Sequence, residues 1–390
     1  MPVRPTFAAA LLAAALAAPS ATAETAVDMV YLERRVERPP TLSNLDPIPG
    51  DLGLAGARVA LADNATTGQF LGHAYALEEI VVEPEEDWLD AARGALGRAA
   101  LIVANAPAED LLALADLPEA EGALILNAAA EEVALRDADC RRNVLHTIAS
   151  HDMRADAIMQ FLVWKRWTAT ALISGDKPQD RAFAEALRRS AGKFGVRIAA
   201  EKDWVFDVDM RRSAAGETPL FTQDLGQHDV LLVSDEIGDF AQYILYNTWL
   251  PRPVAGSEGM SPQTWSGALE QWGAVQLQNR FRAAAGRDMR SIDHGAWLAV
   301  RAIGEAVTRT GSADPQTIRA YLLSDAFALD GFKGAALSFR DWNGQMRMPV
   351  PLVHPRALVT LTPIEGFLHE RNPLDTLGID APESVCTAFD

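Results

Sequence analysis

The segment Ser174-Gly175-Asp176-Lys177-Pro178-Gln179-Asp180 places one of only five lysines in a short polar loop. A lysine in such a loop can pair with a carboxylate, or its amine can add to an electrophilic carbonyl; a plain solvent-facing role is the alternative. Asp63-Asn64-Ala65-Thr66-Thr67-Gly68-Gln69-Phe70 gathers small polar side chains around a glycine. That suits close backbone approach to an anionic group, or simply a helix cap. Ser150 reads as an N-cap, which would leave N–H groups of the next turn for an anion. His146, just before it, either touches a ligand or braces the chain. Trp249 and Arg252, in Tyr246–Gly256, and Trp272 suit a flat, multiply anionic molecule, because rings stack and guanidinium groups fork carboxylates. Trp265 and Trp297 read as packing residues.

Other chemistries lack their motifs. There is no G-x-S-x-G, no phosphate-binding P-loop and no H-E-x-x-H. No catalytic residue is therefore assigned, and a non-enzyme is expected. His146 and His151 lack a third ligand on the same element. Asp203, Asp207 and Asp209 lack the glycine and terminal glutamate of a calcium loop. No metal site and no required cofactor are expected. A net charge of −18 over 390 residues excludes nucleic-acid or anionic-lipid binding through bulk charge.

The elements that must position these residues can be read from the pattern. Met1–Ala23 carries Arg4, an apolar run from Phe7 to Ala18, and Ala21-Thr22-Ala23 as a small-x-small cleavage site. This predicts an export signal cut after Ala23 and a periplasmic location, since the run is too short to span a bilayer. In an oxidising compartment the two cysteines, Cys140 and Cys386, favour a disulfide. Residues 24–56 are rich in Pro and Gly and read as irregular, with Val27–Leu32 as a strand or extended lead-in.

Alternation then begins. Strands are predicted at Arg58–Ala62, Ile80–Val82, Ala100–Ala104, Ala123–Asn127 and Val144–Thr147, with helices at Thr67–Tyr75, Glu86–Gly97 and Ala108–Ala115 between them. A second block has strands at Thr170–Ser174, Val196–Ala200, Asp229–Ser234 and Pro253–Ala255, with helices at His151–Trp164, Asp180–Phe194 and Ile237–Tyr246. Two runs of β-α-β units predict an α/β fold with two doubly wound parallel sheets. Ligands of such sheets sit beyond the carboxyl ends of the strands. That rule selects Asn64, Thr66, Thr67, Gly68, Asn105, Asn127, His146, Ser150, Lys177 and Asp235, with Trp249 and Arg252 added from the aromatic segment.

One stretch carries a family resemblance. The helix D-H-G-A-W-L-A-V-R-A-I-G-E-A-V-T-R-T from Asp293 is followed by L-D-G-F-K-G-A-A-L-S-F-R-D-W-N-G-Q-M-R over Leu329–Arg347. This order resembles the C-terminal signature of the branched-chain amino-acid-binding family of periplasmic solute receptors, the type I periplasmic binding proteins. The runs W-L-P-R-P-V-A-G (Trp249–Gly256), W-G-A-V-Q-L-Q-N-R-F (Trp272–Phe281) and G-F-L-H with L-D-T-L-G (Gly366–Gly378) resemble a subgroup of substrate-binding proteins associated with PQQ-dependent alcohol dehydrogenases.

The resemblance implies two lobes joined by a three-crossing hinge near Thr147–Ser150, Gly256–Ser261 and Phe327–Gly331. The lobes would be residues 24–147 plus 257–328, and residues 148–256 plus 329–390. It implies a small-molecule ligand in the cleft, pyrroloquinoline quinone (PQQ) first, and membrane ABC-transporter components as partners without membrane insertion. An alcohol-derived aromatic or carboxylic acid is the alternative ligand. A sensor or assembly protein of the dehydrogenase system is the alternative role. Lys177-Pro178 stands where amino-acid receptors usually carry Tyr-Gly, which argues against an ordinary amino acid.

Overall fold

The computed structural model describes residues 25–37, 47–204 and 210–389. The expected export signal therefore lies outside the described residues. Strand β1 (Thr25–Arg34) is an interior strand of the first sheet. Helix α1 (Leu54–Leu71), β2 (His73–Val82), α2 (Trp88–Leu96), β3 (Leu101–Asn105), α3 (Ala108–Ala115), β4 (Leu124–Asn127) and β5 (Val144–His146) follow. The five strands pair in the order β2-β1-β3-β4-β5, all parallel. Their runs, such as Leu-Ile-Val-Ala-Asn and Leu-Ile-Leu-Asn, are apolar on both faces because helices cover both faces.

A second parallel sheet, ordered β7-β6-β8-β9, is built from β6 (Ala169–Ser174), β7 (Arg197–Asp203), β8 (Val230–Ser234) and β9 (Val254–Gly256). Helices α4 (His151–Lys165) and α5 (Pro178–Phe194) pack on it; α6 (Met210–Thr222) and the single turn α7 (Ala241–Ile244) complete the lobe. Together the two sheets are the doubly wound α/β architecture expected. Among the described residues no helix is long and apolar enough to cross a membrane.

The first block departs from the sequence reading. Arg58–Ala62 is not a strand but the middle of α1, and Asp63–Phe70 is not a loop but its last turns. A short apolar run such as Val59–Ala62 does not distinguish strand from buried helix. Tertiary packing decides it here. α1 lies against α9 (Ser291–Thr310), and glycines set the approach: a Cβ on Gly56 would stand 1.8 Å from the Asp293 carbonyl oxygen, and one on Gly304 2.3 Å from the Asn64 side chain. Asn64 is buried and donates to the Val300 carbonyl at 2.8 Å. The strand expected at Ile80–Val82 starts earlier, at His73, and the helix expected over Ile237–Tyr246 shrinks to α7.

After β9 come β10 (Ser261–Pro262), α8 (Ala274–Ala285), α9, α10 (Pro315–Leu322) and the hairpin strands β11 (Leu329–Asp330), β12 (Ala336–Phe339) and β13 (Met346–Arg347). Strands β14 (Val350–His354) and β15 (Ala357–Thr362) pair with β10 in a separate antiparallel sheet. Leu329, Leu337, Phe339, Met346 and Met348 share one buried cluster with α1 and α9, whereas Leu352 joins the cluster of α4 and α5. The third change of lobe thus falls between Met348 and Leu352, later than the expected Phe327–Gly331, because the hairpin packs on the first lobe.

The first change of lobe runs through Thr147–Ser150. Thr147 Oγ1 donates to the Gly295 carbonyl at 2.9 Å, and the Ala149 N–H donates to Thr264 Oγ1 at 3.1 Å. The tail after β15 touches both lobes. The Gly378 N–H donates to Asp156 Oδ2 of α4 at 2.8 Å, while Arg340 Nε of the first-lobe hairpin donates to Asp375 Oδ1 at 3.0 Å. Cys386 is disulfide-bonded to Cys140, as expected.

Lys333 lies fully buried beside this hinge, and Nζ donates to the Thr264 carbonyl at 2.7 Å. Burial pulls its ammonium down to about 7. Between pH 7 and the ordinary lysine range the unfolded chain binds one proton more than the folded chain, so this group makes stability rise with pH across that window. The expected slope is up to about 1.4 kcal/mol per pH unit. Lys333→Met should flatten that slope and raise stability at pH 7. Urea unfolding of both proteins at pH 7, 8 and 9 measures it; parallel profiles would show that Lys333 stays charged in the folded protein.

Candidate functional site

The carboxyl edges of the two parallel sheets face one cleft beside the hinge. Strand register aligns its first wall: Glu33 lies opposite Asn105, and Asn127 opposite His146. On the second sheet Ser174 lies opposite Ser234. The space enclosed is about 810 Å³, walled by Leu52, Trp265 and Ile292 on one side and by Ser257, Glu258 and His354 on the other. A larger depression of about 1180 Å³ flanks the tail, but its Arg347–Asp375 and His369–Asp380 pairs satisfy each other.

At the cleft base stands Arg154, on the second turn of α4. Its Nη1 donates to Glu131 Oε2 and, at 2.5 Å, to Glu236 Oε2; Nη2 donates to Glu236 Oε1 at 3.0 Å. Nε donates to the Pro262 carbonyl at 3.3 Å, and the guanidinium lies 4.4 Å from the Phe183 ring centroid. Glu131 belongs to the first lobe, in the loop after β4. Glu236 belongs to the second, in the loop after β8. One guanidinium therefore joins the two lobes through two carboxylates.

Each carboxylate is held by its own loop. Asn127 Oδ1 accepts from the Ala129 and Ala130 N–H groups at 3.1 and 2.9 Å, and Arg136 Nη1 donates to the Ala130 carbonyl at 2.8 Å. These bonds fix the turn that presents Glu131. In the other lobe Asp180 Oδ1 accepts from the Glu236 N–H at 2.7 Å, and Ser257 Oγ donates to Glu236 Oε1 at 2.7 Å. Asp235 accepts from the N–H groups of Asp239, Phe240 and Ala241, which closes the loop behind Glu236.

The two carboxylates are unequal. Burial pushes Glu131 up to about 7, although Arg154 opposes it. Burial also acts on Glu236, but the forked bonds from Arg154 and the Ser257 hydroxyl outweigh it and hold this carboxyl below its ordinary value. A proton arriving at the cluster thus settles on Glu131. His151 Nε2 stands 3.6 Å from Glu131 Oε2, and burial drives the imidazole down to about 3, so it is neutral. Among the described residues Glu131, His151 and Glu236 are the group whose ligand atoms, within 4.8 Å of one another, match metal spacing. The sequence reading sought a third ligand on one element, whereas the structure brings two glutamates from other loops. The Arg154 guanidinium already supplies the positive charge between them.

The sequence-selected residues divide into three groups. Asn105, Asn127, His146, Ser150 and Asp235 all lie at the carboxyl edges, but as braces. Asn105 Nδ2 donates to the Leu52 carbonyl at 3.1 Å, and Ser150 Oγ caps α4 by accepting from the Met153 N–H at 3.2 Å. His146 is buried between Asn127 Nδ2 at 3.0 Å and the Leu135 carbonyl at 3.1 Å, and burial keeps it well below the ordinary imidazole range. Asn64, Thr66, Thr67 and Gly68 are removed from the cleft, because they belong to α1. Thr66 and Thr67 are exposed on it, and Gly68 packs against Tyr75. Lys177, Trp249 and Arg252 are exposed and outside the cleft walls; Lys177 Nζ pairs with Asp176 at 3.2 Å. Glu131, Arg154 and Glu236 were missed. The strand-end rule covered Asp235 and the loop before Glu131, and extending it by one or two residues reaches both carboxylates.

No family model and no curated protein matches the sequence. Solved structures do match the fold. A branched-chain amino acid ABC transporter periplasmic ligand-binding protein from Burkholderia xenovorans is 17% identical, with a TM-score of 0.71, covering 93% of this chain and 100% of that one. An ABC transporter substrate-binding protein from Desulfitobacterium hafniense in complex with Leu is 15% identical, with a TM-score of 0.65, covering 86% and 99%. A solute-binding protein from R. palustris in complex with benzoate is 12% identical, with a TM-score of 0.64, covering 93% and 99%. The fold is thus that of type I periplasmic binding proteins.

The buried charge cluster yields a stability prediction. Arg154→Met leaves Glu131 and Glu236 facing each other without a cation, which should cost about 3–5 kcal/mol at pH 8. Adding Glu131→Gln and Glu236→Gln to that variant should restore most of the loss. Chemical denaturation of the single and triple variants provides the measurement; equal stability of wild type and Arg154→Met would show that the pairs are solvated.

Proposed function

We propose that this chain is a non-catalytic solute receptor of an ABC-type uptake system, exported to the periplasm, and that its solute is a small organic carboxylate held between the lobes by Arg154. The observation that carries this reading is a single guanidinium at the base of the interlobe cleft, reached from both lobes and backed by the Phe183 ring. Arginine presents a rigid fork matched to carboxylates. Proteins of this fold have been solved with Leu and with benzoate, both of which carry one carboxylate.

PQQ fits this cleft less well. Its three carboxylates would meet one guanidinium already shared by Glu131 and Glu236, and Lys177 and Arg252 stand outside the cleft walls. A monocarboxylate brings the fewest negative charges to this guanidinium. Closure around the solute would be a hinge motion of the two lobes. A sensor or assembly subunit that carries no solute would show no ligand-dependent change of shape.

Titration calorimetry with benzoate, benzylamine and PQQ tests the reading, with solution scattering on each mixture. Benzoate should bind one to one, and Arg154→Lys should weaken it about ten- to a hundredfold through loss of a charge-assisted bond. Preference for benzylamine would turn the site toward cationic solutes, and tighter binding of PQQ would restore the quinone. If no carboxylate bound and scattering never changed, the receptor reading would fall.

A further inference from the structure

The Arg154 guanidinium has five N–H hydrogens. Glu236 takes one from each Nη, Glu131 takes the second on Nη1, and the Pro262 carbonyl takes that on Nε. Among the described residues one Nη2 hydrogen is left, and an incoming carboxylate would take it together with the Nε hydrogen, displacing the 3.3 Å bond to the Pro262 carbonyl. A third carboxylate on this buried cation would leave two uncompensated negative charges in a water-poor cleft, which costs far more than one. The cluster must therefore shed a negative charge when an anion enters. Only one of its members is placed to do so. Glu236 is fixed by the fork, by Ser257 Oγ at 2.7 Å and by its own loop, whereas Glu131 receives a single bond from Arg154.

Resting on the carboxylate reading above, we propose that solute binding is coupled to the uptake of one proton, and that Glu131 is the group that takes it. In the empty cleft Glu131 is a carboxylate bonded to Arg154. On binding, the solute carboxylate accepts from the guanidinium, and Glu131 becomes a neutral acid that can donate its new O–H. No covalent bond changes except the O–H formed on Glu131, and its proton comes from solvent. The groups that face Glu131 are Arg154 and His151 from α4, Glu236 from the loop after β8, and Glu132 and Arg136 from its own loop. His151 cannot take the proton instead, because burial, aided by Arg154, Arg136 and Arg189, holds it neutral. The upward displacement of Glu131 already present in the empty cleft agrees with this assignment.

The test uses the full chain and benzoate as probe. Calorimetry at pH 8 in buffers of different ionisation enthalpy counts protons taken up on binding. Wild type should take up close to one, and its affinity should fall by up to about tenfold per pH unit on the alkaline side. Glu131→Gln should take up none, bind as tightly at pH 8 as wild type does at pH 6, and show a flat profile. Binding by wild type without proton uptake would overturn the coupling while leaving the carboxylate reading intact. Uptake that persists in Glu131→Gln would assign the proton elsewhere and overturn it equally. If benzoate, propionate and L-leucine all failed to bind at both pH 6 and pH 8, the carboxylate reading and the coupling would fall together.

Discussion

Arg154 is the charge around which the two lobes are arranged. It sits in a cleft base where a lone guanidinium would be strongly disfavoured, so its position demands carboxylates from both sides. The loop after β4 delivers one and the loop after β8 the other. Each loop is in turn shaped by side chains whose only evident task is to hold it: Asn127 and Arg136 for Glu131, Asp180, Asp235 and Ser257 for Glu236. The ends of both sheets are thereby committed to one small set of atoms.

The α/β class was legible in the sequence because buried parallel strands are short apolar runs and their connecting helices carry clear starts. Pro178 opens α5, Ser150 caps α4, and the strand at Val230–Ser234 has no polar interruption until its end. α1 was not legible. Its stretch Arg-Val-Ala-Leu-Ala is as apolar as a strand, and only the facing α9, more than two hundred residues later, makes it helical in context. The third change of lobe, after the hairpin strands β11–β13, was misplaced for a similar reason, since the packing partner of Leu337 and Phe339 cannot be read from their own neighbourhood.

The site was partly legible. Sheet topology pointed to the correct edges, and five of the residues it selected brace the cleft. What it could not supply was the charge network, because Glu131, Arg154 and Glu236 lie 23 and 82 residues apart and share no motif. In an arginine-rich chain a single arginine carries little signal by itself. Lys177 attracted notice through its rarity, yet its amine turns to the adjacent Asp176 at the surface.

The tail deserves a mechanical reading. Between Asp375 and Cys386 it is bonded to the first-lobe hairpin through Arg340, to α4 through Asp156, to α5 through Lys193, and covalently to the first lobe at Cys140. A hinge of three strands sets an axis; a fourth connection fastened on both sides of that axis sets the amplitude. Opening beyond the slack of this tether would require breaking the bonds around Gly378. For a receptor of the kind proposed, a narrower aperture would filter by size and slow both arrival and departure. Retention of a bound solute would then depend as much on the length of this tether as on the contacts inside the cleft.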